Sequence, residues 1–227
     1  MPPVVGTNGS DVITTVFTSI GVSGTPTAAD DQINAGAGDD FISGGNGNDL
    51  IDGGTGIDTV AYSDATGAVR VSLGTGTVTG AAGNDILISI ENAIGSNFAD
   101  TFLGNSASNS FRGDAGNDIF IGSAGNDTID GGTGSDTANY SDLGVVVQLA
   151  ARGSLSKGTL GTDNLIGIET IIGSTLSGDS IDLSGASTAP ATGSVVNLTT
   201  GAVTVNGTSP LPLSFSVSQF EDVIGSG

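Results

Sequence analysis

Single aliphatic residues recur along this chain on a beat of nine. In GGNGNDLIDGGTGIDTVAYS, Gly44 to Ser63, Ile51 and Val60 each sit between two residues of mixed polarity, behind a polar, glycine-rich half-block. Ile42, Phe120, Ile129 and Ala138 extend the series. An apolar residue centred in a three-residue run and bounded by glycines predicts a very short strand whose middle side chain faces a core. The glycine-rich half predicts a turn, because glycine takes positive φ without steric cost. A block of nine is then a turn plus a strand, and two blocks make an eighteen-residue coil with a strand on each side. VRVSLGTGTVTG from Val69 and VVVQLAARGSLSKG from Val145 alternate apolar and polar residues and predict ordinary short strands that continue the solenoid. Nothing predicts a long helix. The expected fold is all-β, a parallel β-roll or β-solenoid with tandem turn clusters.

The repeats organise the chain at two levels. Three nonapeptides run from Ala35 to Ala61 and three from Gly113 to Asn139, with weaker copies starting at Gly6, Gly80, Gly95, Gly104 and Gly158. A shift of 78 residues places Gly44–Ser96 on Gly122–Ser174 without a gap, Tyr62 on Tyr140, Asp85 on Asp163 and Glu91 on Glu169. The division expected is a first unit over 1–96, with glycine-aspartate blocks at about 26–61 and linking strands at 62–96. A second unit covers 97–174, with blocks at about 95–139 and linking strands at 140–174. A shortened third unit over 175–227 lacks most nonapeptides, and the whole reads as a piece of a longer array.

Charge sharpens the picture. Among 227 residues there are 39 glycines, 24 acids and only 4 bases, a net charge of −20. Such a charge works against the compact state. The acids stand singly at fixed distances from glycines, which points to cations as partners. Four basic residues cannot neutralise a phosphate backbone, so nucleic acid is excluded as a partner. Cysteine and histidine are absent, which removes disulfides, thiolate and imidazole metal sites, and Ser-His-Asp or Cys-His catalysis. The opening MPPVVGTNGSDVITT has no basic region followed by an apolar run, and no stretch is long and apolar enough for a membrane helix.

The sixth position of each of the six tandem blocks is an aspartate. Stacked coils place the aspartate of one block above that of the block two later. A hard cation fits between them, held by carboxylates and main-chain carbonyls. Every donor is oxygen and the cage is backbone-rich, which matches Ca²⁺ better than Mg²⁺ with its tighter octahedron. Zinc normally takes nitrogen or sulfur donors, which are lacking here. A lone Asp-Gly turn needs no metal. Tandem carboxylates do, since unpaired like charges repel.

GGNGNDLID and GGTGSDTAN, with the connectors IENAIGSNFADTFLG and DTANYSD, resemble the GGxGxDxUx nonapeptides of RTX, or haemolysin-type, calcium-binding proteins. The resemblance implies a parallel β-roll, type I secretion and folding on meeting external calcium, with about four or five ions. By position, the aspartate ligands it implies are Asp31 with Asp49, Asp40 with Asp58, Asp100 with Asp118, and Asp118 with Asp136. Asn109 replaces an aspartate, so the site it would share with Asp127 is expected to be weaker. The carbonyl-bearing turn positions are Gly36, Gly38, Gly45, Gly47, Gly54, Gly56, Gly116, Gly125, Gly132 and Gly134. Phe98 departs from the pattern at a fourth-position glycine, and Asp179 is one residue out of phase. Asp85 and Asp163 lack a partner eighteen residues away. Tyr62 and Tyr140 are assigned to packing, and Glu91 and Glu169 to accepting turn amides.

The function expected is a calcium-dependent structural or folding segment of a large secreted or cell-surface protein, such as an adhesin, surface-layer protein or exoprotein. The alternative is an accessory carbohydrate-binding module of a polysaccharide-modifying enzyme. Against that stand the four scattered basic residues and the lack of tryptophan. No catalytic residue is expected, because the repeat accounts for every acid. Expected partners are calcium, neighbouring units of the same chain, or a cell-surface polysaccharide.

Overall fold

The computed structural model describes residues 3–150, 153–182, 195–197, 202–205 and 213–224. Much of the shortened third unit lies outside these residues. Short strands dominate. Gln32–Gly36, Phe41–Ile42, Leu50–Asp52 and Thr59–Ala61 follow one another in the first unit. Ser110–Arg112, Ile119–Ile121, Thr128–Asp130 and Thr137–Asn139 do so in the second. The helical residues among those described form one 3₁₀ turn, Gly158–Leu160.

Successive nonapeptide strands alternate between two sheets, which hold thirteen and eleven strands among the described residues. Neighbouring nonapeptide strands within a sheet are parallel and one coil apart. Ile33 pairs with Ile51, Ile42 with Val60, Phe111 with Ile129 and Phe120 with Ala138. Each of these pairs is eighteen residues apart, the coil length that the beat of nine predicts. The register follows from burial. A slip by one residue would turn every middle side chain outward.

Those middle residues form the core. Ile42, Ile51, Val60, Phe120, Ile129 and Ala138 are all buried and belong to one continuous hydrophobic cluster. Phe102 stacks on Phe120 at 4.9 Å between ring centroids and tilts against Phe111 at 5.4 Å. The second unit therefore fills its core with aromatic rings where the first uses Ile and Val.

The linking segments add something the repeat does not contain. Val69–Ser72, Thr77–Gly80 and Gly83–Ile88 form an antiparallel meander inside the first sheet. Gln148–Ala150, Ser154–Ser156 and Thr162–Ile166 form the corresponding meander in the other sheet. The last strand of each meander rejoins the parallel stack, so Leu50 pairs with Ile86 and Thr128 with Asn164. The roll is parallel through the nonapeptides and mixed through the linking strands. The second meander changes sheet because six alternating strands, an even number, lie between the two.

Candidate metal centre

The sixth-position aspartates are buried and stand in columns along the turns. Along each column, carboxylate oxygens accept backbone N–H groups from the coil before. Asp31 donates to Asp49 Oδ1 at 2.9 Å and Asp40 to Asp58 Oδ1 at 2.8 Å. Asp100 donates to Asp118 Oδ1 at 2.7 Å and Asp118 to Asp136 Oδ1 at 2.8 Å. Asn109 donates to Asp127 Oδ1 at 2.9 Å. These are the pairs that the eighteen-residue spacing predicts.

The columns also take in residues that the spacing leaves out. Asp49 donates to Asp85 Oδ1 at 2.9 Å and Asp127 to Asp163 Oδ1 at 3.0 Å, both across 36 residues. The meander supplies the extra length of chain, so a fixed spacing of eighteen cannot find these partners. Asp11 heads one column by donating to Asp40. Asp179 is in place despite its shifted phase and accepts from Val147 N at 2.8 Å. Asp58 and Asp136 donate to the carboxylates of Glu91 and Glu169 at 2.9 and 2.8 Å. Both glutamates thus accept turn amides. Glu221 does the same for Asp179 at 2.9 Å. Its FEDVIGS context parallels IENAIGS, so a sequence signal existed.

The second carboxylate oxygen sorts the loops into two kinds. In the closed kind it finds a donor within the protein. Thr7 N donates to Asp11 Oδ2 and Thr27 N to Asp31 Oδ2, both at 2.7 Å. Ser96 N closes on Asp100 and Ser174 N on Asp179. Asn105 N closes on the amide oxygen of Asn109 at 3.0 Å. Tyr62 and Tyr140 donate their phenol hydrogens to Asp85 Oδ2 and Asp163 Oδ2, each at 2.8 Å. In the open kind, Oδ2 of Asp40, Asp49, Asp58, Asp118 and Asp136 is buried and accepts no hydrogen bond.

The residue four places before the aspartate marks the open kind. In the open loops it is Gly36, Gly45, Gly54 or Gly132, at φ of 106°, 88°, 95° and 91°. In the fifth open loop Asp114 stands there and adopts φ 70° itself. A non-glycine residue pays about 1–2 kcal/mol for that conformation. Asp114 is held by Arg112 and by the Ser63 hydroxyl at 3.2 Å. In the loops of Asp11, Asp31, Asp100 and Asn109 this position is Thr7, Thr27, Ser96 and Asn105, and the amide there turns to the side-chain oxygen.

The open loops stack with their carbonyls against the next coil. A Cβ at Gly54 would strike the Gly36 carbonyl, at Gly56 the Gly38 carbonyl, and at Gly45 the Thr27 carbonyl. Gly132 and Gly134 stand in the same relation to Asp114 and Gly116. Gly38, Gly47, Gly116 and Gly125 meet the backbone of Gly9, Ala29, Phe98 and Ala107. Thr55 N donates to Gly36 O at 3.0 Å, and Thr133 N to Asp114 O at 2.9 Å, which keeps adjacent loops in step. Phe98, in place of a glycine, lies in the loop that Ser96 closes.

Electrostatics mark the open oxygens as costly. Burial, with the negative charges of Asp85, Asp31 and Asp30 added, pushes the Asp49 carboxyl up to about 7. Burial, with Asp100, Asp136 and Asp114 added, pushes Asp118 up to about 7. Burial also raises Asp40, Asp58 and Asp136. Buried carboxylate oxygens without donors need a positive charge. Among the described residues no three acidic side chains converge on one point. A cation there would draw its remaining donors from carbonyls or water, the mixed oxygen shell that suits calcium.

Coils of nine-residue half-turns with buried aspartate columns define a calcium-binding β-roll. Residues 26–60, 94–129 and 103–138 match the RTX calcium-binding nonapeptide repeat in 4 copies. The chain carries repeats of that family and forms a calcium-binding β-roll module. No curated protein matches the chain. No helix among the described residues is long and apolar enough to cross a membrane.

Proposed function

We propose that this module folds on meeting extracellular calcium and serves as a structural segment of a large secreted or cell-surface protein delivered by type I secretion. The observation that carries the reading is the set of five buried, unpartnered Oδ2 atoms on Asp40, Asp49, Asp58, Asp118 and Asp136. These atoms, with carbonyls of the glycine loops, hold about four or five ions in all, each taking the oxygen shell that calcium prefers. Asp31, Asp100 and Asn109 sit in closed loops and contribute their amides to the columns.

The mechanism is linkage. At low calcium, a chain of charge −20 repels itself and the buried carboxylates oppose the folded state. Ions that bind only the folded state draw the chain over by mass action. Unfolded, it threads a secretion channel; outside the cell, it sets into a roll that spaces neighbouring units of the same chain.

The test is far-UV circular dichroism of EDTA-treated protein titrated with Ca²⁺, with Mg²⁺ as the control. A disordered spectrum that turns to β steeply with Ca²⁺ alone supports the reading. A full β spectrum in EDTA, unresponsive to Ca²⁺, overturns it.

A further inference from the structure

The 78-residue repetition makes the two units internal controls for one another, and they part at one place. In the first unit Asp49 Oδ2 is buried and unpartnered. In the second, the equivalent Asp127 Oδ2 receives the ammonium of Lys157 at 3.2 Å and the Ser123 hydroxyl at 3.0 Å. The same ammonium donates to the Ser123 carbonyl at 2.7 Å and to Asp163 Oδ1. All three of its protons are thereby placed, on two carboxylates and one main-chain carbonyl. Those are the donor types that the open loops offer to a cation. The rest of the arrangement is shared. Asp85 and Asp163 each accept an aspartate amide on Oδ1 and a tyrosine phenol on Oδ2.

Lys157 is the one lysine of the chain, and its side chain is fully buried. A buried ammonium persists only where carboxylates and hydrogen bonds compensate it. Its route inward is a one-residue change of register in the middle strand of a meander of equal length. Val78 faces Asp85 across the first meander, seven positions on, whereas Leu155 faces Asp163, eight positions on. The shift lengthens the turn that Lys157 opens and shortens the one before it, where Val71 faces Val78 in the first meander but Leu149 faces Leu155 in the second; Lys157 N bonds to Gly161 O at 2.8 Å.

We infer that the Lys157 ammonium is a built-in cation that takes the place of calcium in the Asp127 loop, so that this coil of the second unit closes without an ion. The inference rests on the reading that the open loops bind calcium. It makes the two units unequal. The coil of Asp49 waits for calcium, while the coil of Asp127 carries its own counter-charge and offers a preformed edge on which the remaining coils stack.

Two measurements on the whole chain test this. The first counts bound calcium, by equilibrium dialysis and metal analysis, in Ser123→Gly and in Ser123→Gly/Lys157→Ala. The double variant restores the glycine of the open loops and vacates the ammonium position. It is expected to bind one ion more than the single variant, and equal counts overturn the inference. The second needs no variant. An acylating reagent has only Lys157 and the N-terminal amine to attack. In calcium-saturated wild type, Lys157 is expected to stay unmodified while the terminus reacts, with both reacting in guanidinium. Acylation of Lys157 at the denatured rate in saturating calcium overturns the inference. A wild type that binds no calcium at all refutes the reading of the open loops instead, while the acylation result still reports whether the ammonium is enclosed.

Discussion

The backbone N–H of Asp40 lies 2.8 Å from Asp58 Oδ1, and the other oxygen of Asp58 is buried with no donor at all. One carboxylate thus does two jobs. It ties successive coils together through Oδ1 and presents bare charge through Oδ2. The separation of these jobs allows closed and open loops to be told apart by substitution. Asp118→Asn, in an open loop, is expected to lower the number of bound calcium ions and to shift the folding midpoint to higher calcium. Asp31→Asn, in a loop already closed by Thr27, is expected to leave the count unchanged. Calorimetric titration of both variants checks this. Equal losses would show that closure by Thr27 does not exclude the ion.

Glycine at the second position is expected to be required for space as well as for φ. Gly54→Ala places a methyl against the Gly36 carbonyl at φ 95°, while Gly144→Ala meets open space at φ 72°. The second change should cost only the left-handed strain, about 1–2 kcal/mol. The first should cost more and weaken calcium binding with it. Denaturant unfolding in saturating calcium compares them, and equal costs would remove the steric argument.

The tyrosines are expected to act as internal caps. Tyr62→Phe leaves Asp85 Oδ2 without its donor, and Tyr140→Phe does the same to Asp163. Each should destabilise the calcium-loaded roll by about 1–3 kcal/mol, the cost of a buried acceptor left unpaired. Thermal unfolding at fixed calcium measures it. A change within error would mean that water replaces the phenol.

Acid is expected to substitute in part for calcium. Asp49 and Asp118 have carboxyls raised from 3.8 to about 7 in the folded chain. A raised carboxyl means that the folded state binds the proton more tightly than the unfolded state does. Their contribution to metal-free stability is therefore fully present below about 3.8 and is lost as pH rises to about 7. In EDTA, β content should grow as pH falls from 8 towards 4, and calcium affinity should fall over the same range. Reduced net charge acts in the same direction, so Asp49→Asn/Asp118→Asn serves as the control and should blunt the response. A wild type in EDTA with the same spectrum at pH 8 and pH 4 would contradict this.

The beat of nine determined much of this protein by itself. A residue such as Ile51 centred between glycine turns can only bury its side chain by stacking coils, so strand length, coil length, core positions and aspartate columns were all legible before any fold was known. The tertiary structure decided what depends on distances along the chain that the repeat does not set. The meanders bring Asp85 to Asp49 and Asp163 to Asp127 across 36 residues, and a linear spacing rule cannot count through an antiparallel detour. It also decided which carboxylates are free. Asp31 and Asp49 occupy the same motif position, yet one oxygen is capped by Thr27 and the other left bare. That outcome turns on the residue four places earlier: Gly45 stands at φ 88°, whereas the Thr27 amide turns to the carboxylate. Lys157 is the extreme case: one of four scattered bases in the sequence, it is folded by the hairpin between two aspartates.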